Sequence, residues 1–365
     1  MRALRKWSPC LVALIASCTA EHVREGAGGG SGIPSTSAPG GDGSEGDDDS
    51  EEVGGSGADE ASDDEDGAPQ FDVGDGVSGG DGGSEGSDAD GCKAVDFLFV
   101  IDNSASMENE QAALVAAFPM FMEAIVAALE QDDYHVLVTD TDAWGRCNTA
   151  NPWNGNDPGS DLCTSYVKTT VFEECDRVRG AGVLNPAGKF ATNGVCDPSG
   201  DQRYIVEGEP DLAGTFSCMA TVGTAGDAAE KPMESLVAAV APEINTVGGC
   251  NEGFLRDDAV LVVTFISDDP NHEDSGTPKE WYDAVVAAKG GDPSAVVVLG
   301  FTPHWDDCRP EDNDDKGIEW QQFVELWGDH GLHGNVCSTA EEYASFFQQA
   351  VSVIDGACDE FEPPG

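Results

Sequence analysis

Four apolar runs along the chain have the length and composition of buried β-strands. Each is rich in Val, Ile, Leu and Phe, which favours a strand covered on both faces, as in a parallel sheet. The runs are "AVDFLFVID" at 94–102, "YHVLVTD" at 134–140, "DDAVLVVTFISDD" at 257–269 and "PSAVVVLGF" at 293–301.

Helical patterns lie between and after these strands. From Glu108 to Glu130 apolar residues recur at three- and four-residue spacing, and Pro119 is expected to kink or restart that helix near Phe118. Three further segments are helical by their spacing, at 231–244, 278–291 and 339–358. Strands that alternate with helices predict an α/β domain with a doubly wound, mostly parallel sheet and right-handed crossovers.

The amino terminus has the features of an export signal instead of a folded element. A basic start is followed by a short apolar stretch and small residues, so residues 1–17 are predicted to be a signal peptide. The stretch "LIASC" at 14–18 resembles the lipobox of bacterial lipoproteins, which implies that Cys18 carries lipid and anchors the chain in a membrane. The alternative is an ordinary cleaved signal in which Cys18 has no role. With Thr19 after the cysteine, we expect a Gram-negative cell envelope lipoprotein of the outer membrane.

Residues 18–91 are predicted to be a disordered linker. Between residues 41 and 90 there are 19 acidic residues and no Lys or Arg, in a background of Gly and Ser. Low hydrophobicity with charge of one sign cannot offset the entropy cost of ordering a chain. The folded domain is therefore expected over residues 92–358, with a short tail at 359–365.

The cysteines predict disulfides. Ten follow residue 91, and an even number in an exported chain is typical of a disulfide framework. Five of them lie in residues 141–218, where the alternation of strands and helices is lost, so we expect a disulfide-rich insertion there. We predict that Cys92 and Cys358 join the two ends of the domain, and that Cys308 pairs with Cys337. The other pairings stay open.

The charge of the folded region limits its partners. Residues 92–365 carry 13 basic and 49 acidic side chains, a formal net charge of 13 − 49 = −36. Without a basic patch, binding to nucleic acid is not expected. Solubility and attraction of divalent cations are the interpretations of this charge that remain.

Polar side chains follow two of the predicted strands where each strand ends. Asp102, Ser104 and Ser106 form a D-x-S-x-S turn after the first strand. Ser267 and Asp268 lie at the carboxyl end of the apolar run at 257–269. Ligands of open α/β sheets bind at the carboxyl ends of strands. The alternative is that Asp102 and the two serines only cap the following helix, a role expected of Ser106 in either case.

This turn, in this position, resembles the metal-ion-dependent adhesion site of the von Willebrand factor A (VWA) family. The resemblance covers about residues 92–358, apart from the insertion. It implies a VWA-like domain that binds a divalent ion, Mg²⁺ with Mn²⁺ or Ca²⁺ as alternatives, through Asp102, Ser104, Ser106 and Asp268. It also implies a threonine ligand from an intervening loop. Thr221 and Thr224 lie in that loop, but the helix register places Glu230 at the family's threonine position, so Thr224 and Glu230 both stay open.

Binding is predicted over catalysis. Neither "DNSAS" at 102–106 nor "DDAVLVVTFISDD" at 257–269 supplies a G-x-S-x-G turn, the turn after the first strand is not D-x-D, and no general base is evident near Asp102. We therefore expect a non-catalytic domain for adhesion or envelope interactions, which recognises a protein partner through an acidic side chain of that partner. The alternatives are a metal-dependent hydrolase and a structural lipoprotein without metal.

Overall fold

A computed structural model describes the folded region of the chain, and its described residues are 92, 94–129, 133–142, 165–226, 231–268, 274–303 and 317–364. The predicted signal peptide, Cys18 and the linker lie outside this part. So do Glu230 and Cys308.

Within the described residues, six strands form one sheet. The strands are β1 Val95–Ile101, β2 Tyr134–Asp140, β3 Ile205–Val206, β4 Val260–Ile266, β5 Val296–Thr302 and β6 Gly331–Asn335. Their order is β3-β2-β1-β4-β5-β6, and all neighbours are parallel except β3, which pairs antiparallel with β2 at one edge. The prediction of a doubly wound, mostly parallel sheet is confirmed, with two edge strands that the apolar pattern missed.

Helices cover both faces of the sheet because alternate residues of each inner strand point to opposite sides. The helices are α1 Glu108–Leu129, α2 Ser165–Thr169, α3 Leu212–Ala220, α4 Pro232–Ala239, α5 Pro242–Asn245, α6 Pro278–Ala288, α7 Ile318–Glu325 and α8 Ala340–Glu360. In β1, Phe97 and Phe99 pack in a core with α1, α3 and α8. Leu98 and Val100 pack in a second core, on the other face, with α4, α6 and α7.

Helix α1 runs directly from the D-x-S-x-S turn. Pro119 lies inside it and does not end it, so the expected restart near Phe118 does not occur. In the part of the chain that the structure describes, α1 alone is long and apolar enough over Glu108–Ala127 to cross a membrane. Its apolar stripe, which includes Leu114 and Phe121, is buried against the sheet and α8, which is the packing of a core helix.

The described disulfides join the ends of the domain and fasten the cysteine-rich region to it. Cys92 pairs with Cys358, as predicted, and further bonds join Cys175 to Cys250 and Cys196 to Cys218. Cys337 is also disulfide-bonded, whereas its predicted partner Cys308 lies outside the described residues. The region at 165–218 is not a separate appendage, because β3 extends the sheet and Phe216 of α3 stacks on Phe118 with ring centroids 3.4 Å apart.

A buried ion pair fixes the amino-terminal edge of the sheet. Asp96 in β1 is fully buried and accepts hydrogen bonds from the backbone N and the Nε of Arg256, each at 2.7 Å. Arg256 also pairs with Asp133. Burial raises the pKa of Asp96 to about 6, against the opposing effect of the Arg256 charge.

We expect Arg256→Met to destabilise the fold by about 3–5 kcal/mol at pH 8, because it leaves a buried carboxylate without its partner. Loss of the cation raises the pKa of Asp96 further. A raised folded-state pKa gives stability at low pH that is lost as pH rises, so the deficit should shrink at pH 5. Urea unfolding at both pH values measures this, with Lys279→Met, which breaks an exposed ion pair with Asp283, as the control. Equal deficits at pH 5 and pH 8 would contradict the prediction.

Candidate metal and partner-binding site

Asp102 is the centre of the site and is held from two strands. It follows β1 directly, and its side chain is fully buried. Its Oδ1 accepts a hydrogen bond from the backbone N of Ser104 at 2.7 Å, and its Oδ2 accepts one from the Ser267 hydroxyl at 2.7 Å. Ser267 follows β4, the parallel neighbour of β1. The carboxylate is thus fixed in one orientation at the carboxyl edge of the sheet.

The two serines of the turn lie against the second aspartate. The Ser104 and Ser106 hydroxyl oxygens are 3.4 Å apart, and the Ser106 hydroxyl donates to Asp268 Oδ1 at 2.8 Å. Asp268 is 5% exposed. The structure therefore brings together Asp102, Ser104, Ser106 and Asp268, the four residues that the sequence placed at adjacent strand ends.

The expected capping role of Ser106 is wrong. A capping serine accepts a hydrogen bond from a backbone N–H of the first helical turn. In the structure the Ser106 hydroxyl instead donates to Asp268 Oδ1 and lies 3.4 Å from the Ser104 hydroxyl oxygen. The turn is closed by the Asp102 side chain and by backbone bonds, including that from Met107 N to Ser104 O.

Thr224 lies on the loop after α3, and this loop is hydrogen-bonded to the D-x-S-x-S turn at Asn103. Its side chain is buried, at 3% exposure, and its Oγ1 has no hydrogen-bond partner among the described residues. Its backbone N donates to Lys189 O at 2.8 Å, and two residues later Gly226 N donates to Asn103 O at 2.7 Å. A Cβ at Gly226 would lie 2.2 Å from Asn103 O, so this close approach requires glycine.

Gln111 fixes the other side of the Thr224 loop. This buried side chain on α1 donates to Asp102 O and to Gly223 O, each at 2.9 Å, and accepts from Gly223 N at 3.1 Å. It therefore sets the position of the Thr224 loop relative to the end of β1. Sequence reasoning missed Gln111, although its place three residues before Leu114 on the apolar stripe of α1 signals a buried polar side chain.

The other candidates for the threonine position differ from Thr224. The Thr221 hydroxyl donates to Ser217 O at 2.7 Å, within the last turn of α3, so it already has a partner. Glu230 lies outside the described residues. Of the two threonines in this loop, Thr224 is therefore the one whose hydroxyl has no hydrogen-bond partner among the described residues.

The donor set suits a small hard cation. All side-chain ligands on offer are oxygens, two carboxylates and three hydroxyls, and Mg²⁺ prefers oxygen ligands in octahedral geometry with several waters retained. A hydroxyl that donates its proton, as Ser106 does to Asp268, keeps lone pairs for an ion. Among the described residues, no group of three or more His, Cys, Asp or Glu side chains is placed to hold a metal ion.

A buried tyrosine of α8 is influenced by the charge of Asp268. Tyr343 donates to Val336 O at 2.8 Å. Burial raises the pKa of Tyr343 well above its usual value, and the charges of Glu110 and Asp268 raise it further. Tyr343 therefore stays protonated and uncharged.

Comparison with known proteins gives structural likeness alone. No protein-family model and no curated protein sequence matches the chain. One similar solved structure is a von Willebrand factor type A protein from Catenulispora acidiphila, with 11% identity, 72% of this chain and 43% of that chain covered, and a TM-score of 0.34. Another is the pilus adhesin SpaC from Lactobacillus rhamnosus GG in an open conformation, with 13% identity, 72% and 30% covered, and a TM-score of 0.36.

The chain thus spans less than half the length of either protein. The fold of this chain is therefore classified from its own sheet topology. A parallel sheet with one antiparallel edge strand, in the order β3-β2-β1-β4-β5-β6, presents a D-x-S-x-S turn at the end of its inner strand β1. The chain has a von Willebrand factor A-like fold.

Proposed function

We propose that this chain is an exported, lipid-anchored VWA-like domain that binds a divalent ion, Mg²⁺ or alternatively Mn²⁺ or Ca²⁺, and recognises a protein partner through that ion. Asp102, Ser104, Ser106, Asp268 and Thr224 hold the ion in this proposal. A carboxylate of the partner completes its coordination. The domain binds its partner without catalysis.

The observation that carries the proposal is the unpartnered, buried Thr224 hydroxyl, on a loop that is hydrogen-bonded to Asn103 of the D-x-S-x-S turn. Burial of a hydroxyl without a hydrogen bond costs free energy, and a bound cation would supply the missing interaction. The loop bonds on either side of Thr224, from Gln111 and to Asn103, hold it against the end of β1.

The proposed ligand set leaves a coordination position for an acidic partner. Three of the five proposed ligands are neutral hydroxyls, and the Asp268 carboxylate already accepts a hydrogen bond from Ser106. The two carboxylates supply two negative charges against the two positive charges of the ion, and five protein ligands would leave one of the six octahedral positions of Mg²⁺ to the partner. Asp102 would orient the ion, because hydrogen bonds from Ser104 N and from the Ser267 hydroxyl fix both oxygens of its carboxylate.

We expect Thr224→Val to lower the Mg²⁺ affinity of the full chain about tenfold, as removal of an interaction at a metal site does. The same change should raise the free energy of unfolding without metal by about 1 kcal/mol, because valine removes an unsatisfied buried hydroxyl while keeping the shape. Calorimetry with Mg²⁺ and urea unfolding measure the two effects.

Thr264→Val is the matched control. Thr264 lies within β4, is 1% exposed, and also has an Oγ1 without a hydrogen-bond partner. It should gain similar stability and keep its Mg²⁺ affinity. Equal Mg²⁺ binding by the wild type and Thr224→Val, or no Mg²⁺ binding by the wild type, would contradict the proposed ion site.

The proposed location rests on the leader and on the disulfides, which form in oxidising compartments. We propose lipid attachment at Cys18 and residence in the outer membrane of a Gram-negative envelope. Mass spectrometry of the mature amino terminus tests the lipid, and Cys18→Ser should move the chain from the membrane to the soluble fraction. Recovery of an envelope protein with the purified chain, lost on addition of a chelator, tests the partner.

A further inference from the structure

A strained and exposed phenylalanine lies beside the proposed ion site. Phe190 has φ +61° and is 47% exposed. Asn193, the other non-glycine residue with positive φ in the described part of the chain, lies in the same loop. Positive φ is unfavourable for a bulky side chain, and such strain persists where the surrounding structure enforces it, commonly at ligand sites.

Hydrogen bonds hold the backbone of residues 188–193, the 188–193 loop, in one conformation. The Asn193 side chain donates to Gly188 O and Ala191 O, each at 2.8 Å, and accepts from Gly188 N at 3.0 Å. Thr192 donates from its backbone to Thr221 O and from its hydroxyl to Cys218 O. The backbone that carries Phe190 is therefore held in its strained form while the ring faces solvent.

The 188–193 loop is directly bonded to the Thr224 loop. Lys189 O accepts the hydrogen bond from Thr224 N at 2.8 Å, so Phe190 follows the residue that touches a proposed ligand. Ala191 lies against Gly223: a Cβ at Gly223 would come within 2.7 Å of the Ala191 Cβ. The loop that carries the exposed ring is therefore bonded to the loop that carries the proposed ligand Thr224.

Lys189 adds a positive charge at the same place. Its Nζ lies 4.5 Å from the centroid of the Phe190 ring, and it makes no ion pair within the described residues. The other lysines of those residues whose side chains are described, Lys231, Lys279 and Lys289, bond to carboxylates or a carbonyl. In a region with a net charge of −36, a cation without a carboxylate partner beside the proposed ion site offers charge complementarity to an acidic ligand.

We infer that the 188–193 loop is a recognition element, and that the partner is an acidic protein segment with an aromatic or large aliphatic side chain next to its metal-binding carboxylate. The apolar side chain packs on the Phe190 ring, and Lys189 binds a second carboxylate of the segment. This inference rests on the proposed function, which supplies the ion for the first carboxylate.

The test uses the immobilised full chain and a displayed library of random linear peptides, selected in Mg²⁺ and in chelator. The wild type should enrich peptides in which Asp or Glu adjoins an aromatic or large aliphatic residue. Phe190→Asn removes the ring and places a residue that tolerates positive φ. It should lower recovery of those peptides about tenfold, as loss of an aromatic contact at an interface does. Its Mg²⁺ affinity should be unchanged and its melting temperature equal or higher.

Val247→Asn is the control for loss of an exposed apolar side chain. Val247 is 90% exposed in the segment between α5 and β4, and its substitution should leave recovery unchanged. Equal recovery by Phe190→Asn and the wild type would overturn the inference, as would a wild type that enriches no acidic and apolar peptides. If chelator and Thr224→Val change nothing while Phe190→Asn abolishes enrichment, the recognition loop stands and the proposed ion site fails.

Discussion

Asp102→Asn is expected to lower the Mg²⁺ affinity of the full chain by at least about 100-fold while the fold is retained. Removal of a group that only supports a metal ligand costs 10- to 100-fold, so loss of a charged ligand should cost no less. Asparagine has nearly the same shape, and its Oδ1 can still accept the bond from Ser104 N. Its amide can face the Ser267 hydroxyl, which can turn to accept instead of donate.

Asp96→Asn is a matched control for this prediction. Asp96 and Asp102 lie at opposite ends of β1, and both are fully buried. Asp96→Asn weakens the bond to Arg256 and should change stability, but it should leave Mg²⁺ affinity unchanged. Calorimetry and circular dichroism on both variants separate the two roles. A folded Asp102→Asn chain with wild-type Mg²⁺ affinity would show that Asp102 only closes the turn.

The part of the site that sequence predicted is local or follows from sheet topology. The D-x-S-x-S turn lies within five residues, and its position after an apolar run places it at the end of a strand. Asp268 follows another such run, and parallel strands bring their carboxyl ends to one edge. The alternation of strands and helices along the sequence therefore predicts that Ser106 and Asp268, which are 162 residues apart, lie close together.

The rest of the site depends on contacts that no local pattern encodes. Gln111 bonds to Gly223, which is 112 residues away, and the Lys189 bond to Thr224 comes from the cysteine-rich region. Both rely on the packing of loops. Strands β3 and β6 were missed for a related reason, because β3 has two residues and β6, "GLHGN", contains two glycines and little apolar pattern. Their place in the sheet comes from neighbouring strands.

The cysteine-rich region therefore contacts the Thr224 loop of the candidate site in addition to stabilising the fold. The bond between Cys196 and Cys218 lies beside the 188–193 loop, and Thr192 of that loop donates to Cys218 O. The bond between Cys92 and Cys358 joins the start of β1 to the end of α8. Because β1 presents Asp102 at its other end, this second bond lies at the edge of the sheet opposite the site.

Loss of the Cys92–Cys358 bond is expected to have the largest effect on stability. The bond closes a loop with a sequence separation of 266 residues, and the chain-entropy model gives a stabilisation of about 5 kcal/mol. The double variant Cys92→Ser with Cys358→Ser should lose about that amount in urea unfolding. It should bind Mg²⁺ with wild-type affinity wherever it is folded, because Asp102 and the Thr224 loop keep their contacts.

The double variant Cys196→Ser with Cys218→Ser should lose less stability but more Mg²⁺ affinity. Its loop has a separation of 22 residues, for which the same model gives about 3 kcal/mol. This smaller loss of stability should come with weaker Mg²⁺ binding, because the released segment holds Thr224 through Lys189 O. If both double variants lose Mg²⁺ affinity in proportion to their stability, the disulfides act on the fold alone. Weaker binding confined to the Cys196 and Cys218 variant means that the cysteine-rich region positions the site.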